Sequence, residues 1–239
     1  MRPPRYEIIW KDCIFHVTWQ CHNKDWLLAG DGAKRLYYEL LCKYKDKYKI
    51  VFYSYCFMSN HPHLTGKIDG SIEAFSAFFR VVNSLFAKQI NKENKRKGQV
   101  VMDRFKSPVI QTDEAHMEVI VYGDMNPQRA NMIKHPREYP WSSYAFYAFG
   151  KTDRLLTPAP CYFALGNTDQ ERQERYQRYV NMVLKRDHLK QRYYSHTYFI
   201  GNPAWVLEKV LSLHQVMKIK RESYLKRQQR FFQELHAPP

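Results

Sequence analysis

An α+β fold, a ferredoxin-like antiparallel sheet backed by helices, is what three features of this 239-residue chain predict. Runs rich in β-branched and aromatic residues alternate with runs of helical apolar period, in the order strand, helix, strand, strand, helix, strand, helix. That order suits a split βαβ layout, in which sequential strands need not be neighbours. The length suffices to bury about 70% of the unfolded surface, enough for one core with additions.

The first strand is CIFHVTWQC, Cys13 to Cys21, and AKRLYYELLCKYKDKY follows as a helix with Leu36, Leu40 and Tyr44 on one stripe. IVFYSYCFM is the second strand, Ser59-Asn60 a short turn, and HPHLTGKI the returning antiparallel strand. Pro62 has no backbone donor, which predicts an edge strand or a bulge there, with the flanking histidines near an accessible sheet margin. SIEAFSAFFRVVNSLFAKQIN forms the second long helix, with Phe75, Phe79, Val82 and Phe86 on its buried stripe. NKENKRKG is a charged loop or frayed end, and RFKSPVI a further ladder segment. Thr112 then caps a third helix to Met125, with Asp113 and Glu114 in its first turn and Asn126-Pro127 ending or bending it.

An aromatic connection, YPWSSYAFYAFG, leads to Thr157-Pro158-Ala159-Pro160, the expected boundary between a domain over 1–156 and a mainly helical basic extension over 157–239. Five cysteines form neither an even disulfide framework nor a CxxC site and fit small buried side chains in a reducing cytoplasm. No long apolar run suggests export or a membrane span. A formal charge of +15 favours a polyanionic partner, through attraction of phosphates and release of their counterions.

The chemistry concentrates in His61-Pro62-His63. Two histidines one residue apart point to the same face of a strand and can hold one divalent metal, and Pro62 biases His61 toward extended dihedrals. Tyr122 and Asn126, four apart on the third helix, share one helical face. Two imidazole nitrogens and an amide oxygen make a mixed set that accepts Mg²⁺ or Mn²⁺, leaving positions for a phosphate oxygen and water. A phenol one turn away is then placed as a nucleophile toward a phosphodiester, with a covalent phosphotyrosine as product.

Four segments in order, FMSNHPHL at 57–64, DRFKSPVI at 103–110, VYGDMNPQRANMI at 121–133 and YPWSSY at 139–144, resemble the HUH single-tyrosine transposase superfamily, in particular the group that includes the REP-associated tyrosine transposases. The resemblance spans most of residues 10–150, with weaker echoes in ERQERYQRYV and YFIGNP. It implies His61 and His63 as the metal pair, Asn126 as third ligand and Tyr122 as nucleophile. It also implies a transposase-like endonuclease and strand transferase that cleaves single-stranded DNA near hairpins, leaving a 5′-phosphotyrosine and a free 3′-hydroxyl. Pro62 departs from the family, where a bulky hydrophobic residue normally separates the histidines. The alternatives are a hairpin-DNA-binding regulatory protein with weakened or absent cleavage, and a metal-dependent phosphodiesterase that uses water.

For the DNA backbone the candidates are Lys88, Lys92, Lys95, Arg96, Lys97, Arg104 and Lys106, together with Arg129 beside the proposed chemistry. The late helices add Arg172, Arg175, Arg178, Lys185 and Arg186, then Lys218, Lys220, Arg221, Lys226, Arg227 and Arg230, a charge that suits gripping a hairpin. Tyr198 and Trp205 are candidate base-stacking residues, while Trp141 and Tyr144 read as core. Monomer and homodimer are both compatible with the chain.

Overall fold

A computed structural model describes residues 3–186 and 197–235; the side chains of Arg186, Arg227 and Arg230 fall outside the described set. Five strands form one sheet: β1 (Ile14–Thr18), β2 (Ile50–Phe57), β3 (Pro62–Ile68), β4 (Val109–Ile110) and β5 (Phe199–Ile200), in the order β2-β3-β1-β4-β5. The first four pair antiparallel in the expected layout, and β5 adds parallel to β4. Two residues are too few to carry a strand pattern, which is why β5 does not stand out in the mainly helical C-terminal sequence.

Alternation along the strands divides the sheet into two unlike faces. Phe15 and Val17 of β1 and Leu64 and Ile68 of β3 join a core with α1 (Asp31–Lys45) and α2 (Ile72–Glu93). In α1 the fully buried positions are Tyr37 and Leu41; Leu36, Leu40 and Tyr44 flank that face half-buried, one residue off the expected stripe. The α2 stripe of Phe75, Phe79, Val82 and Phe86 is buried as expected. Its rings pack edge to face, Phe78 on Phe79 at 4.9 Å and Phe15 on Phe79 at 6.4 Å, the arrangement that ring quadrupoles favour. Gly66 is required here, since a Cβ would strike the Val51 carbonyl and lie 2.7 Å from the Phe15 ring.

The other face packs α3 (Asp113–Arg129) on β2 and β3, with Met117, Ile120 and Val121 against Tyr53. A bulge in β2 between Phe52 and Ser54 shifts the side-chain parity, so Ile50 and Phe52 before it and Tyr55 and Phe57 after it serve the same core. Tyr53 and Ser54 are left on the α3 side, Ser54 bonding Thr65 at 2.7 Å. Thr112 caps α3 by accepting from the Ala115 N–H. Pro127 does not end the helix, which runs to Arg129; the proline falls in the last turn, and the Asn126 carbonyl still receives the Ala130 N–H at 2.9 Å.

Pro62 also departs from expectation. β3 lies between β2 and β1, neither at an edge nor bulged at the proline. Pro62 is its first residue, and β1 ends opposite His63, so no ladder partner waits for the missing donor. Behind α3 pack α4 (Tyr144–Phe149), α5 (Pro160–Phe163) and α6 (Asp169–Arg186), joined by Tyr144, Tyr147, Tyr162 and Tyr176. From β5 the chain enters α7 (Pro203–Leu235). Among the described residues no helix is long and apolar enough to cross a membrane.

Candidate active site

One cavity of about 610 Å³ at the end of β1 and β3 is lined by His61, His63, Tyr122 and Asn126, so all four sequence-selected residues meet within one chain. β3 supplies His63 on its α3 face, and the Ser59-Asn60 turn, closed by the Met58 N–H on the His61 carbonyl at 2.9 Å, places His61 beside it. The two imidazole rings lie 4.9 Å apart, nearly perpendicular. Tyr122, one turn before Asn126 on α3, sets its ring perpendicular to His63 at 5.6 Å between centroids. His61 is half-exposed at the cavity wall, but His63 is buried at 4% exposure, not at an open sheet margin. The interior position of β3 is the reason.

Two further residues complete the arrangement, of which the sequence singled out one. His16 of β1 bonds His63 through Nε2 and Nδ1 at 2.9 Å, and Arg129 holds its guanidinium 5.0 Å from the Tyr122 ring centroid while donating to the Tyr122 carbonyl at 3.2 Å. Arg129 was expected near the chemistry; His16 was hidden because it is 47 residues from its partner. Its one sequence signal is a histidine inside an otherwise apolar strand.

Burial is the first cause of every histidine shift here. It lowers the His61 pKa to about 4 and that of His16, which also faces His61, to about 3. His63 is pushed far below the ordinary range by burial, then by His61, His16 and Arg129. All three rings are therefore neutral near pH 7, the state in which a ring nitrogen can ligate a metal.

The donor set fits a small divalent cation. His61 Nδ1 lies 2.7 Å from Asn60 Oδ1, so the Nδ1–H tautomer leaves its Nε2 lone pair available. His63 Nε2 and Asn126 Nδ2 are buried polar atoms without a protein partner, and both residues line the same cavity. Rotating the Asn126 amide exchanges its nitrogen for an oxygen acceptor. Among the described residues no three His, Cys, Asp or Glu side chains group into a metal site, so any third protein donor beside the two imidazoles would have to be of another type, such as an amide oxygen. A second buried polar chain, His116 with Thr65 at 3.3 Å and Cys161 at 3.6 Å, is not a nucleophile, because burial pushes the Cys161 thiol up to about 12.

The helix carrying Tyr122 is tied down by Asp124. Its fully buried carboxylate accepts from Ser143 Oγ at 2.8 Å and from Tyr176 of α6 at 2.6 Å, and burial nevertheless raises its pKa to about 7.

The basic candidates scatter more widely. Arg104 and Lys106 line the cavity. Lys88, Lys92, Lys95 and Lys97 are exposed around the end of α2, and Arg96 faces Asp25 at 3.8 Å. On α6, Arg172 bonds Asp169 and the Gly166 carbonyl, Arg178 lies 3.8 Å from Glu174, and Arg175 is exposed; none lines the cavity. Tyr198, 42% exposed, lines the cavity, whereas Trp205 packs on Phe199 at 5.6 Å. Trp141 donates to Asp31, and Tyr144 is core as expected.

The family model described as "Transposase IS200 like" matches residues 9–120. No curated protein matches the chain. The solved structure described as a REP-associated tyrosine transposase bound to a REP hairpin aligns with a TM-score of 0.52, at 17% identity, over 66% of this chain and 93% of that one. At that identity the likeness speaks for the fold alone, while the family match covers β1 through the first half of α3, including both histidines of the pair and ending before Tyr122. Over residues 9–120, a little under half of its length, the chain is thus similar to the IS200-like transposases.

Proposed function

We propose that this protein is a metal-dependent single-stranded DNA endonuclease and strand transferase that acts beside DNA hairpins through Tyr122. The observation that carries this reading is the perpendicular approach of the Tyr122 ring to His63 in a cavity that His61 and Asn126 also line. A structurally similar transposase bound to a hairpin supports the substrate class. In this reading residues 157–239 form a basic extension that grips the hairpin.

The Tyr122 hydroxyl oxygen attacks phosphorus, and the bond from phosphorus to the 3′ oxygen breaks. The phenolic proton passes to solvent, the departing 3′ oxygen takes up a proton, and the phosphate stays on the 5′ side as a phosphotyrosine. Attack of a 3′-hydroxyl on that linkage reverses the step and joins strands. Arg129 meets the negative charge beside the phenol, and His16 orients His63. His61, His63 and Asn126 would hold Mg²⁺ or Mn²⁺, which when bound supplies Lewis-acid polarisation of the phosphodiester.

The test is a denaturing gel of protein incubated with labelled hairpin oligonucleotides and Mn²⁺. A covalent adduct is expected from the wild type and none from Tyr122→Phe, which keeps the ring and binds DNA within about twofold. Cleavage without an adduct would favour water as nucleophile, and hairpin binding without cleavage would favour the regulatory alternative.

A further inference from the structure

Beside the active-site cavity lies a second groove of about 590 Å³, running along α2 past Arg80, Asn83 and Ser84. The two share one wall, made of Arg5, Asp103, Arg104 and Phe105. Arg5 belongs to an N-terminal arm that the sequence reading left without a role. A short 3-10 turn, Arg5–Glu7, opens the arm, and Ile8 and Ile9 are buried behind it. Lys220 of α7 pins the turn through Glu7 at 2.7 Å and the Tyr6 hydroxyl at 3.0 Å.

The Arg5 guanidinium carbon lies 3.5 Å from the Phe105 ring centroid, and the group donates to the Phe105 carbonyl at 3.3 Å. Arg104 beside it donates to the Pro3 carbonyl at 2.8 Å. Among the described residues neither guanidinium has a carboxylate within ion-pair distance. Burial, and after it the charge of Arg104, holds the Arg5 pKa down at about 9. Two like charges held together cost free energy that an anion between them would return. Arg5, Arg104 and Lys106 against Asp103 leave the wall positive, and planar guanidinium forks suit phosphate oxygens.

We propose that Arg5 and Arg104 form a phosphate subsite that passes single-stranded DNA from the active-site cavity into the groove along α2. The strand runs between the N-terminal arm and α2, with Arg80 meeting a further phosphate. This rests on the proposed DNA chemistry for the substrate class, but equilibrium binding tests it apart from catalysis.

The probe is a fluorescein-labelled oligodeoxythymidylate about 12 nucleotides long, bound to the full chain across a salt series. For a single strand the slope of log affinity against log salt falls by about 0.7 for each phosphate contact removed. Arg104→Gln, at an exposed position that does not threaten folding, is expected to lower the slope by about that amount; Arg5→Gln with Arg104→Gln lowers it at least as far. Arg104→Lys should restore most of the slope, which a purely structural role for the side chain would not do. A neutral methylphosphonate oligonucleotide should remove the difference between wild type and variants. An unchanged slope in Arg104→Gln and in the double variant overturns the subsite. Running the series in Tyr122→Phe separates the two readings: lost slope without any wild-type adduct sinks the chemistry and keeps the subsite, and an adduct with unchanged slopes does the reverse.

Discussion

The two faces of the central sheet are built from the same strands and are chemically opposite. Toward α1 and α2 the strands present Phe15, Val17, Phe52, Leu64 and Ile68, packed on Phe75, Phe78 and Phe79 with almost no exposure. Toward α3 the alternate residues are His16, His63, Thr65 and Ser54, buried polar groups that must find one another or a ligand. One residue's displacement along a strand separates a stabilising side chain from a reactive one. A one-residue register slip would therefore exchange core and chemistry outright, and the interior position of β3 makes such a slip costly.

The contrast can be broken most severely on the polar face. Replacing His61 and His63 together by Ala should reduce Mn²⁺-dependent adduct formation by more than about 100-fold, beyond the usual cost of losing a residue that only orients a ligand. Mn²⁺ should also cease to raise the melting temperature, while a variant that still gains thermal stability from Mn²⁺ would place the ion elsewhere. On the apolar face, Phe79→Ala should cost about 3–5 kcal/mol in denaturant unfolding, since the ring contacts Phe15, Phe78 and Phe105. What protein remains folded should keep its adduct yield; a selective loss of activity would mean the faces are coupled.

Smaller effects sharpen the comparison at Asp124. Tyr176→Phe removes one of two hydroxyl donors from a buried carboxylate and should cost about 1.5–3 kcal/mol by thermal or chemical melting. The pH dependence runs in a defined direction. Asp124 is raised from 3.8 to about 7 in the folded state, so its contribution is whole below 3.8 and is lost as pH rises to about 7. The stability of Asp124→Asn relative to wild type should accordingly improve across that window, by at most about 1.4 kcal/mol per pH unit. A flat difference would show that the carboxylate is ionised throughout. His116 works in the opposite sense: burial lowers it from 6.5 to about 3, so it favours the folded state above 6.5 and loses that advantage as pH falls toward 3.

What could be reasoned from local sequence is what local geometry controls. His61 and His63 share a face because a strand has period two, and Tyr122 and Asn126 share one because a helix has period near four. Thr112 caps α3 because a threonine oxygen three residues before an N–H is a sufficient acceptor. Pro62 misled because the missing donor was weighed without knowing where β1 stops, and Pro127 because a proline in a final turn breaks little. Arg5 and the Asp124–Tyr176 contact carry no local signature at all, and His16 only that of a histidine inside an otherwise apolar strand.

By itself, then, the amino-acid order determined the element types, the ferredoxin-like strand sequence, the identity of the paired histidines and the tyrosine, and the excess of positive charge. Only the tertiary structure decided that these side chains line one cavity within one chain, that β3 is an interior strand, and that an N-terminal arm joins the wall of the site. The division has a physical cause: dihedral preference and periodicity act over a few residues, whereas strand order and the burial of unpaired polar atoms follow from packing between segments tens of residues apart.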